Sequence, residues 1–251
     1  MNLDLIRKDF PILETQVNGH QIVYFDNGAT TQRPLPVVNA VVDYVTHQNG
    51  NPHRGAHIFA ISASEAYDTS KEVVRDFIHA RSEKEIIYTR NTTESLNLVS
   101  RSYGETHLKK GDHILITIAE HHSNLVTWQR AAEKTGAVLD YIYIDKETGH
   151  FPEEELKKID DPRVKILAFA QVSNVLGVEF DPKPLIKRAH AHGAVVVVDG
   201  GTPTSRSTCR ILTVISSLSP DTRCAPWAAS AFSMPRKNSL MKWNRSSWAE
   251  T

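Results

Sequence analysis

Cysteine and long apolar runs are scarce in this 251-residue chain, and each shortage excludes a class of protein. The two cysteines, Cys209 and Cys224, have neither a zinc-site nor a redox spacing. No run of eighteen apolar residues predicts a transmembrane helix, and the charged first ten residues lack the apolar core of a signal peptide. We therefore expect a soluble cytoplasmic protein without a disulfide framework.

An excess of charge of either sign is also missing. The chain has 29 basic and 29 acidic residues, and a basic excess occurs only after residue 200, with 7 Lys and Arg against 2 Asp and Glu. Nucleic acids and anionic membranes select broad basic surfaces. We predict neither as a partner.

The composition changes at about residue 200. All 12 His and all 7 Tyr precede residue 193, whereas both Cys and three of the 4 Trp follow residue 200. We therefore predict an N-terminal segment over 1–20, an α/β domain over 21–200, and a poorly ordered tail over 201–251.

Residues 21–200 alternate apolar, β-prone runs with longer helical patterns. The predicted strands are 21–25, 85–89, 113–118, 138–144, 164–169 and 194–198. The predicted helices are 36–47, 64–79, 92–102, 123–135, 153–159 and 184–192. This rhythm is typical of βαβ units, so we predict an α/β fold with a mostly parallel sheet flanked by helices.

Polar residues follow four of these strands, where α/β proteins bind ligands. After 85–89, Asn91 can cap a helix with Glu94 three residues later, and the Thr92 and Thr93 hydroxyls then join free N–H groups in a cradle for phosphate. Taken alone, such a motif is more often an ordinary capped helix.

The other three junctions supply an imidazole, an amide and a carboxylate. His121 can stack on a planar ring, and its neighbour His122 points elsewhere, so we predict no metal site. Asn174 follows the predicted strand 164–169, and Asp199 comes at the end of 194–198. Each alone is a common turn residue. Together with the phosphate cradle they describe a site for pyridoxal phosphate. A carboxylate with an ordinary pKa of ~3.9 keeps the cofactor's ring nitrogen protonated.

Six motifs resemble one family. They are YFDNGATTQRP at 24–34, NPHRGAH at 51–57, RNTTE at 90–94, EHHSNLVTW at 120–128, VSNVLG at 172–177 and VVVVDG at 195–200. They are similar to those of SUF-type cysteine desulfurases, which stand with the selenocysteine lyases in the class V aminotransferase group of fold-type I pyridoxal-phosphate enzymes. The resemblance covers residues 1–200 and implies the large domain of that fold, truncated.

The resemblance also implies roles for individual residues. Thr93 matches the phosphate-binding threonine, His121 the ring-stacking catalytic histidine, and Asn174 an asparagine beside the cofactor. Asp199 matches the partner of the ring nitrogen. Three further residues match the family's substrate entrance: Ala29, His53 and Arg54.

The chemistry implied is removal of sulfur from L-cysteine, leaving L-alanine and an enzyme persulfide. The implied partners are a sulfur-acceptor protein of iron–sulfur cluster assembly and a second copy of the chain in a homodimer. Two alternatives stay open: a selenocysteine lyase acting on L-selenocysteine or another class V enzyme, and a non-catalytic cofactor-binding protein with a genuine alternative tail.

The chain departs from the family after Gly200. The family continues toward Phe-Ser-Gly-His-Lys, whose lysine forms a Schiff base with the cofactor, but here GTPTS follows and neither Lys237 nor Lys242 has that context. The family's persulfide cysteine, substrate arginine and small domain would lie beyond Thr251. We therefore expect an inactive, truncated form whose sheet has an unpaired edge after Asp199.

Our hypothesis for this departure is a frameshift near codon 200. Residues 218–224, read one base out of frame, allow Phe-Ser-Gly-His-Lys-Met, and the same offset over 238–245 allows Leu-Leu-Asn-Glu-Met-Glu-Pro. Both sequences resemble the family's continuation. We therefore interpret 201–251 as an out-of-frame tail.

Overall fold

A computed structural model of the protein describes most of the chain up to residue 200 and two short strands beyond it. The described ranges are 3–27, 30–78, 80–200, 211–215 and 231–232. They divide after residue 79 into two compact units. No helix in these ranges is long and apolar enough to cross a bilayer. Most of the predicted tail lies outside the described residues, so its predicted poor order stays a prediction.

The first unit is mainly helical. Its elements are α1 (Leu3–Lys8), β1 (Gln16–Val17), β2 (His20–Gln21), α2 (Leu35–Asp43) and α3 (Ile58–Ile78). A π-helical turn continues α2 to Gln48, so the predicted helix 36–47 is confirmed. The predicted strand 21–25 is wrong beyond Gln21, because its partner β1 has only two residues and the ladder ends there.

Helix α3 begins six residues before its predicted start. The N–H groups of Ala60 and Ile61 donate to the His57 carbonyl oxygen at 3.0 and 3.1 Å, which closes the first turn. The turn also rests on Gly50, where an added Cβ would lie 2.3 Å from the Phe59 carbonyl oxygen. The β-branched and aromatic residues at 58–61 concealed this turn, because their intrinsic helix propensity is modest.

The second unit contains an α/β sandwich. Its helices are α4 (Thr92–Val99), α5 (Glu105–His107), α6 (His122–Thr135), α7 (Glu153–Leu156) and α8 (Pro182–Ala191). Its strands are β3 (His113–Thr117), β4 (Val138–Ile142), β5 (Val164–Ala170), β6 (Val195–Gly200), β7 (Ile211–Ile215) and β8 (Ala231–Phe232). The elements predicted between 92 and 200 are confirmed, with ends displaced by up to three residues. A π-helical turn joins α4 to α5, and a 3-10 turn extends α7 to Asp160.

The six strands form one mixed sheet in the order β4-β3-β5-β6-β7-β8. The four strands from β4 to β6 are parallel, which confirms the predicted parallel sheet. The expected unpaired edge after Asp199 is wrong, because β7 pairs antiparallel with β6 from Val196↔Ile215 to Gly200↔Ile211. The run 211–215 is β-branched and uncharged, so it suits a position beside a buried strand.

The predicted strand 85–89 is not a strand in the described part of the chain. Glu83–Glu85 forms a 3-10 turn capped by Ser82, whose Oγ accepts the Lys84 N–H. Ile86 is extended and fully buried, and within 85–89 only Ile86 and Thr89 form single β-bridges, too few for a ladder. A β-prone run becomes a strand only where a neighbour supplies the ladder of hydrogen bonds.

The strands alternate their side chains between two helical layers. On one face, Ile114, Ile116 and Ile166 pack with Leu96 of α4 and Trp128 of α6. Residues one position along each strand face the other layer, which includes the following buried side chains: Leu115, Leu167, Phe169, Leu185 and Ala189. Burial on both faces explains the almost wholly apolar strands.

Candidate functional site

The predicted cofactor residues of the second unit lie toward the carboxyl ends of its parallel strands, which we call the strand-end edge of the sheet. Helix α6 begins directly after β3 at this edge. Helix α4 leads into the start of β3 at the opposite edge, so its N-terminus also lies toward the strand ends. The positive ends of two helix dipoles therefore face the region that contains Asp199, a suitable arrangement for an anionic ligand.

The N-terminus of α4 has a capped end and an unused hydroxyl. Asn91 Oδ1 accepts the Glu94 N–H at 2.8 Å, which confirms the predicted cap. Glu94 Oε2 accepts the N–H of Arg90 at 2.7 Å, one residue before the N–H that a full capping box binds. Thr92 Oγ1 is buried and has no partner among the described residues. That hydroxyl and the helix-end N–H groups of Thr92 and Thr93 suit a phosphate oxygen.

Substitution of the α4 cap is expected to destabilise the fold. Asn91→Ala removes the acceptor of the Glu94 N–H and should cost about 1 kcal/mol of unfolding free energy, measured by urea denaturation of the full chain. Asn91→Asp keeps an acceptor at a favourable helix position and should retain most of the stability. Equal losses in both variants would contradict a capping role.

An exposed ion pair adjoins this cap. The Arg90 guanidinium donates to Glu94 Oε1 at 3.1 Å. The bonds from Arg90 lower the pKa of Glu94 below its usual value, so this carboxylate stays ionised near neutral pH. Glu94 therefore offsets the nearby positive charge of Arg90, so the predicted phosphate cradle depends on the helix end and its hydroxyls, and it stays a prediction.

His121 is exposed and caps helix α6. Its Nδ1 accepts the Ser123 N–H at 3.1 Å and lies 2.7 Å from Ser123 Oγ. Since Nδ1 is an acceptor, the neutral ring carries its proton on Nε2. The His122 ring lies nearly perpendicular, with centroids 6.2 Å apart. The cap fixes one edge of the His121 ring and leaves ring stacking as a prediction.

Asn174 lies in an exposed turn just beyond β5. The turn is closed by an antiparallel bridge between Val172 and Glu179 and by the Ser173 N–H, which donates to the Val178 carbonyl at 3.1 Å. The backbone thus reverses direction just after the end of β5. The predicted contact of the Asn174 amide with a cofactor stays a prediction.

Asp199 is buried at the end of β6, with 6% of its surface exposed. It stands opposite Ala170 in the β5–β6 ladder, and its carbonyl oxygen accepts the Gln171 N–H at 2.9 Å. A carboxylate held this firmly by the backbone suits a fixed partner for a cationic ring. That role stays a prediction.

Glu120 is a half-buried residue at these strand ends whose carboxyl contacts the sequence did not reveal. Its carboxyl group accepts hydrogen bonds from the Thr117 hydroxyl, the Ala170 N–H at 3.0 Å and Asn124 Nδ2 at 2.6 Å. Burial raises the pKa of Glu120 to about 7; the three bonds oppose this rise and the charge of Asp199 adds to it. The spacing of Glu120, Asn124 and Trp128, each four residues apart, is the signal that marks one helix face.

The predicted substrate-entrance residues belong to the first unit. His53 has a left-handed backbone with φ of 60°, and its N–H donates to Ser64 Oγ at 2.8 Å. His53 Nε2 lies 3.4 Å from Asp68 Oδ1. The Arg54 N–H donates to the Asn51 carbonyl at 3.4 Å. Ala29 lies outside the described residues.

A cavity of about 240 Å³ lies at the opposite end of the strands, where they begin. Tyr103, Lys109, Lys165 and Gly193 contribute to its walls, next to the starts of β3, β5 and β6. It contains none of the predicted cofactor residues. The candidate site therefore rests on the residues at the strand ends and not on this cavity.

Residues 23–207 match the family model of class-V aminotransferases. A probable cysteine desulfurase of Halalkalibacterium halodurans is 45% identical over 200 residues, which are 80% of this chain and 49% of that protein. The chain thus spans about half the length of this curated relative.

Solved structures show the same similarity. The apo structure of a cysteine desulfurase from Thermococcus onnurineus matches with a TM-score of 0.71 and 40% identity, over 80% of this chain and 48% of that one. A C-DES mutant with glycine covalently linked to its PLP cofactor matches with a TM-score of 0.62 and 18% identity, over 77% and 49% of the two chains. The second likeness shows the fold alone.

Proposed function

We propose that this chain, which belongs to the class-V aminotransferase family, is the cofactor-binding part of a cysteine desulfurase that uses pyridoxal phosphate. The observation that carries the proposal is the buried, unpartnered Thr92 hydroxyl at the start of α4, on the same sheet edge as Asp199. Identity of 45% to a probable cysteine desulfurase supports the choice of L-cysteine as substrate.

The residues at the strand ends fit the chemical groups of this cofactor. Thr92 and Thr93 would hold the phosphate, His121 would lie against the ring, and Asn174 would bond beside it. Asp199 would hold the proton on the ring nitrogen. When bound, pyridoxal phosphate supplies an electron sink for bond cleavage in an amino acid substrate.

In the intact family the products would be L-alanine and sulfur held as a persulfide. A sulfur-acceptor protein of iron–sulfur cluster assembly and a homodimeric partner complete this proposal. Asp199-Gly200 is followed here by Gly201-Thr-Pro-Thr-Ser205 and not by the family's route to its lysine. We therefore propose that this chain binds the cofactor reversibly and does not turn over cysteine.

The missing family lysine also favours a second candidate, a non-catalytic protein that binds pyridoxal phosphate. Without the lysine in its family position, bound cofactor should leave on dialysis, and borohydride reduction should not fix it to the chain. Cofactor fixed by borohydride to Lys237 or Lys242 would show that the tail supplies an alternative lysine and would overturn the non-covalent mode.

Equilibrium dialysis of the full chain against pyridoxal phosphate tests the proposed site. The parent chain should bind saturably. Asp199→Asn should weaken binding about tenfold or more, because a charge-assisted bond worth ~1.5–3 kcal/mol is lost. Thr92→Val keeps the shape and removes the hydroxyl, and it should weaken binding about tenfold or more, since a hydrogen bond to a charged phosphate contributes ~1.5–3 kcal/mol.

Thr135→Val provides a matched control at the far end of α6. Its hydroxyl donates to the Ala131 carbonyl at 2.8 Å and accepts from the Ala137 N–H at 3.3 Å, both close to it in the chain. Its affinity for the cofactor should equal that of the parent. Absence of saturable binding in a folded parent chain would refute the proposed function, and equal affinity of the Asp199→Asn variant would refute the assigned orientation.

A further inference from the structure

Glu120 occupies a position between three elements of the proposed site. Thr117 is the last residue of β3, Ala170 is the last residue of β5, and Asn124 lies in the first turn of α6. All three donate to the one carboxyl group of Glu120. The group therefore ties two strand ends to the start of a helix.

The bond to Ala170 extends the sheet beyond its regular ladder. Pairing between β3 and β5 ends at Ile116↔Ala168, so the Ala170 N–H has no partner on β3. Glu120 Oε1 takes that place at 3.0 Å. On its other side Ala170 pairs with Asp199. Glu120, Ala170 and Asp199 thus form one continuous row across the strand ends.

The helix side of this arrangement is equally constrained. Asn124 is fully buried; its Nδ2 donates to Glu120 at 2.6 Å, and its Oδ1 accepts the Trp128 Nε1–H at 2.7 Å. Trp128 is also fully buried, against α4. Since His121 follows Glu120 directly and caps the same helix, movement of the Glu120 carboxyl would move the imidazole.

We propose that Glu120 is a positioning residue for pyridoxal phosphate, setting the separation of His121 from Asp199 by joining the ends of β3 and β5 to the first turn of α6. This inference rests on the proposed function. Glu120 needs no contact with the cofactor for this role. The pKa of about 7 supports the geometry, because it reflects a carboxyl group held away from water beside Asp199.

The decisive variants exchange the polarity of one hydrogen bond. Glu120→Gln places its amide N–H groups against the Asn124 N–H groups, so one bond is lost. The double variant Glu120→Gln with Asn124→Asp restores it, because the new carboxylate accepts from both Gln and Trp128. Glu133→Gln, an exposed change on the same helix, is the matched control.

The readouts are cofactor affinity by equilibrium dialysis and the visible circular dichroism of bound pyridoxal phosphate, which reports how the ring is held. Glu120→Gln should weaken binding about tenfold and change the dichroism, whereas the double variant should return to within about threefold of the parent. Glu133→Gln should change neither. Loss of fold in Glu120→Ala would not decide the matter, so the isosteric pair carries the test.

The outcomes distinguish failure of the proposed function from failure of the positioning role. If the folded parent does not bind pyridoxal phosphate, the proposed function fails and this inference falls with it. If the parent binds and Glu120→Gln matches it in affinity and dichroism, the positioning role alone is overturned. Weaker binding that the double variant does not rescue would also overturn the specific hydrogen-bond arrangement proposed.

Discussion

The purified 251-residue chain, incubated with L-cysteine and pyridoxal phosphate, is expected to release no alanine and no sulfide above the uncatalysed background. The family's lysine would follow Asp199 within a Phe-Ser-Gly-His-Lys motif, and this motif is missing from the chain. Such a lysine activates the cofactor and moves protons, and loss of a nucleophile of this kind costs orders of magnitude in rate. Liquid-chromatographic measurement of alanine, with sulfide measured in parallel, checks this expectation.

A complete cysteine desulfurase, assayed in parallel, controls for the chemistry. A second control is a gene in which the frame after codon 200 is restored, since the predicted frameshift then returns Phe-Ser-Gly-His-Lys to the chain. Restored frame and restored turnover together would support the out-of-frame interpretation. Alanine formed by the 251-residue chain itself, and abolished by Asp199→Asn, would contradict the expected lack of turnover and show that the chain is catalytic without the family's lysine motif.

Local signals in the sequence were sufficient for much of the second unit. The alternation of apolar runs and helical patterns predicted β3 to β6, because strands buried on both faces must be apolar throughout. Asn91 was predictable as a cap because its side chain acts within one helical turn. In both cases the cause and its effect lie close together in the chain.

Features that depend on distant neighbours were not predictable. The run 85–89 forms only single bridges at Ile86 and Thr89, whereas 211–215 pairs along its whole length with β6. Both runs are β-prone, so only the surrounding sheet distinguishes them. The start of α3 at Ile58 depends on the close approach of Gly50 to Phe59, and both residues lie before the run 64–79 that predicted the helix.

The candidate site shows the same division. Thr92, His121 and Asp199 could be proposed from the sequence because they lie in motifs that resemble a family, and their roles stay predictions. The spacing of Glu120 and Asn124 indicated their local contact, but the bond from the Ala170 N–H, fifty residues away, is encoded by no local pattern. A carboxyl group on a polar helix start would ordinarily be exposed.

Glu120 is also expected to make the stability of the fold depend on pH. In the folded chain its pKa is raised from 4.5 to about 7, chiefly by burial and further by Asp199, while Thr117, Asn124 and Ala170 oppose the shift as donors. Between pH 4.5 and 7 the unfolded chain therefore binds fewer protons at this residue than the folded chain. Stability falls as pH rises through this window, by about 3 kcal/mol in total.

Urea unfolding at pH 5 and pH 8 of the parent and of Glu120→Gln measures this effect. The glutamine is neutral at both pH values, so its lost bond to Asn124 lowers stability equally at each. The difference in unfolding free energy between parent and variant should thus shift by about 2.5 kcal/mol in favour of the variant from pH 5 to pH 8. Glu133→Gln should run parallel to the parent. An unchanged gap for Glu120→Gln would show that the carboxyl group is ionised at pH 5, and that its three donors outweigh burial and the charge of Asp199.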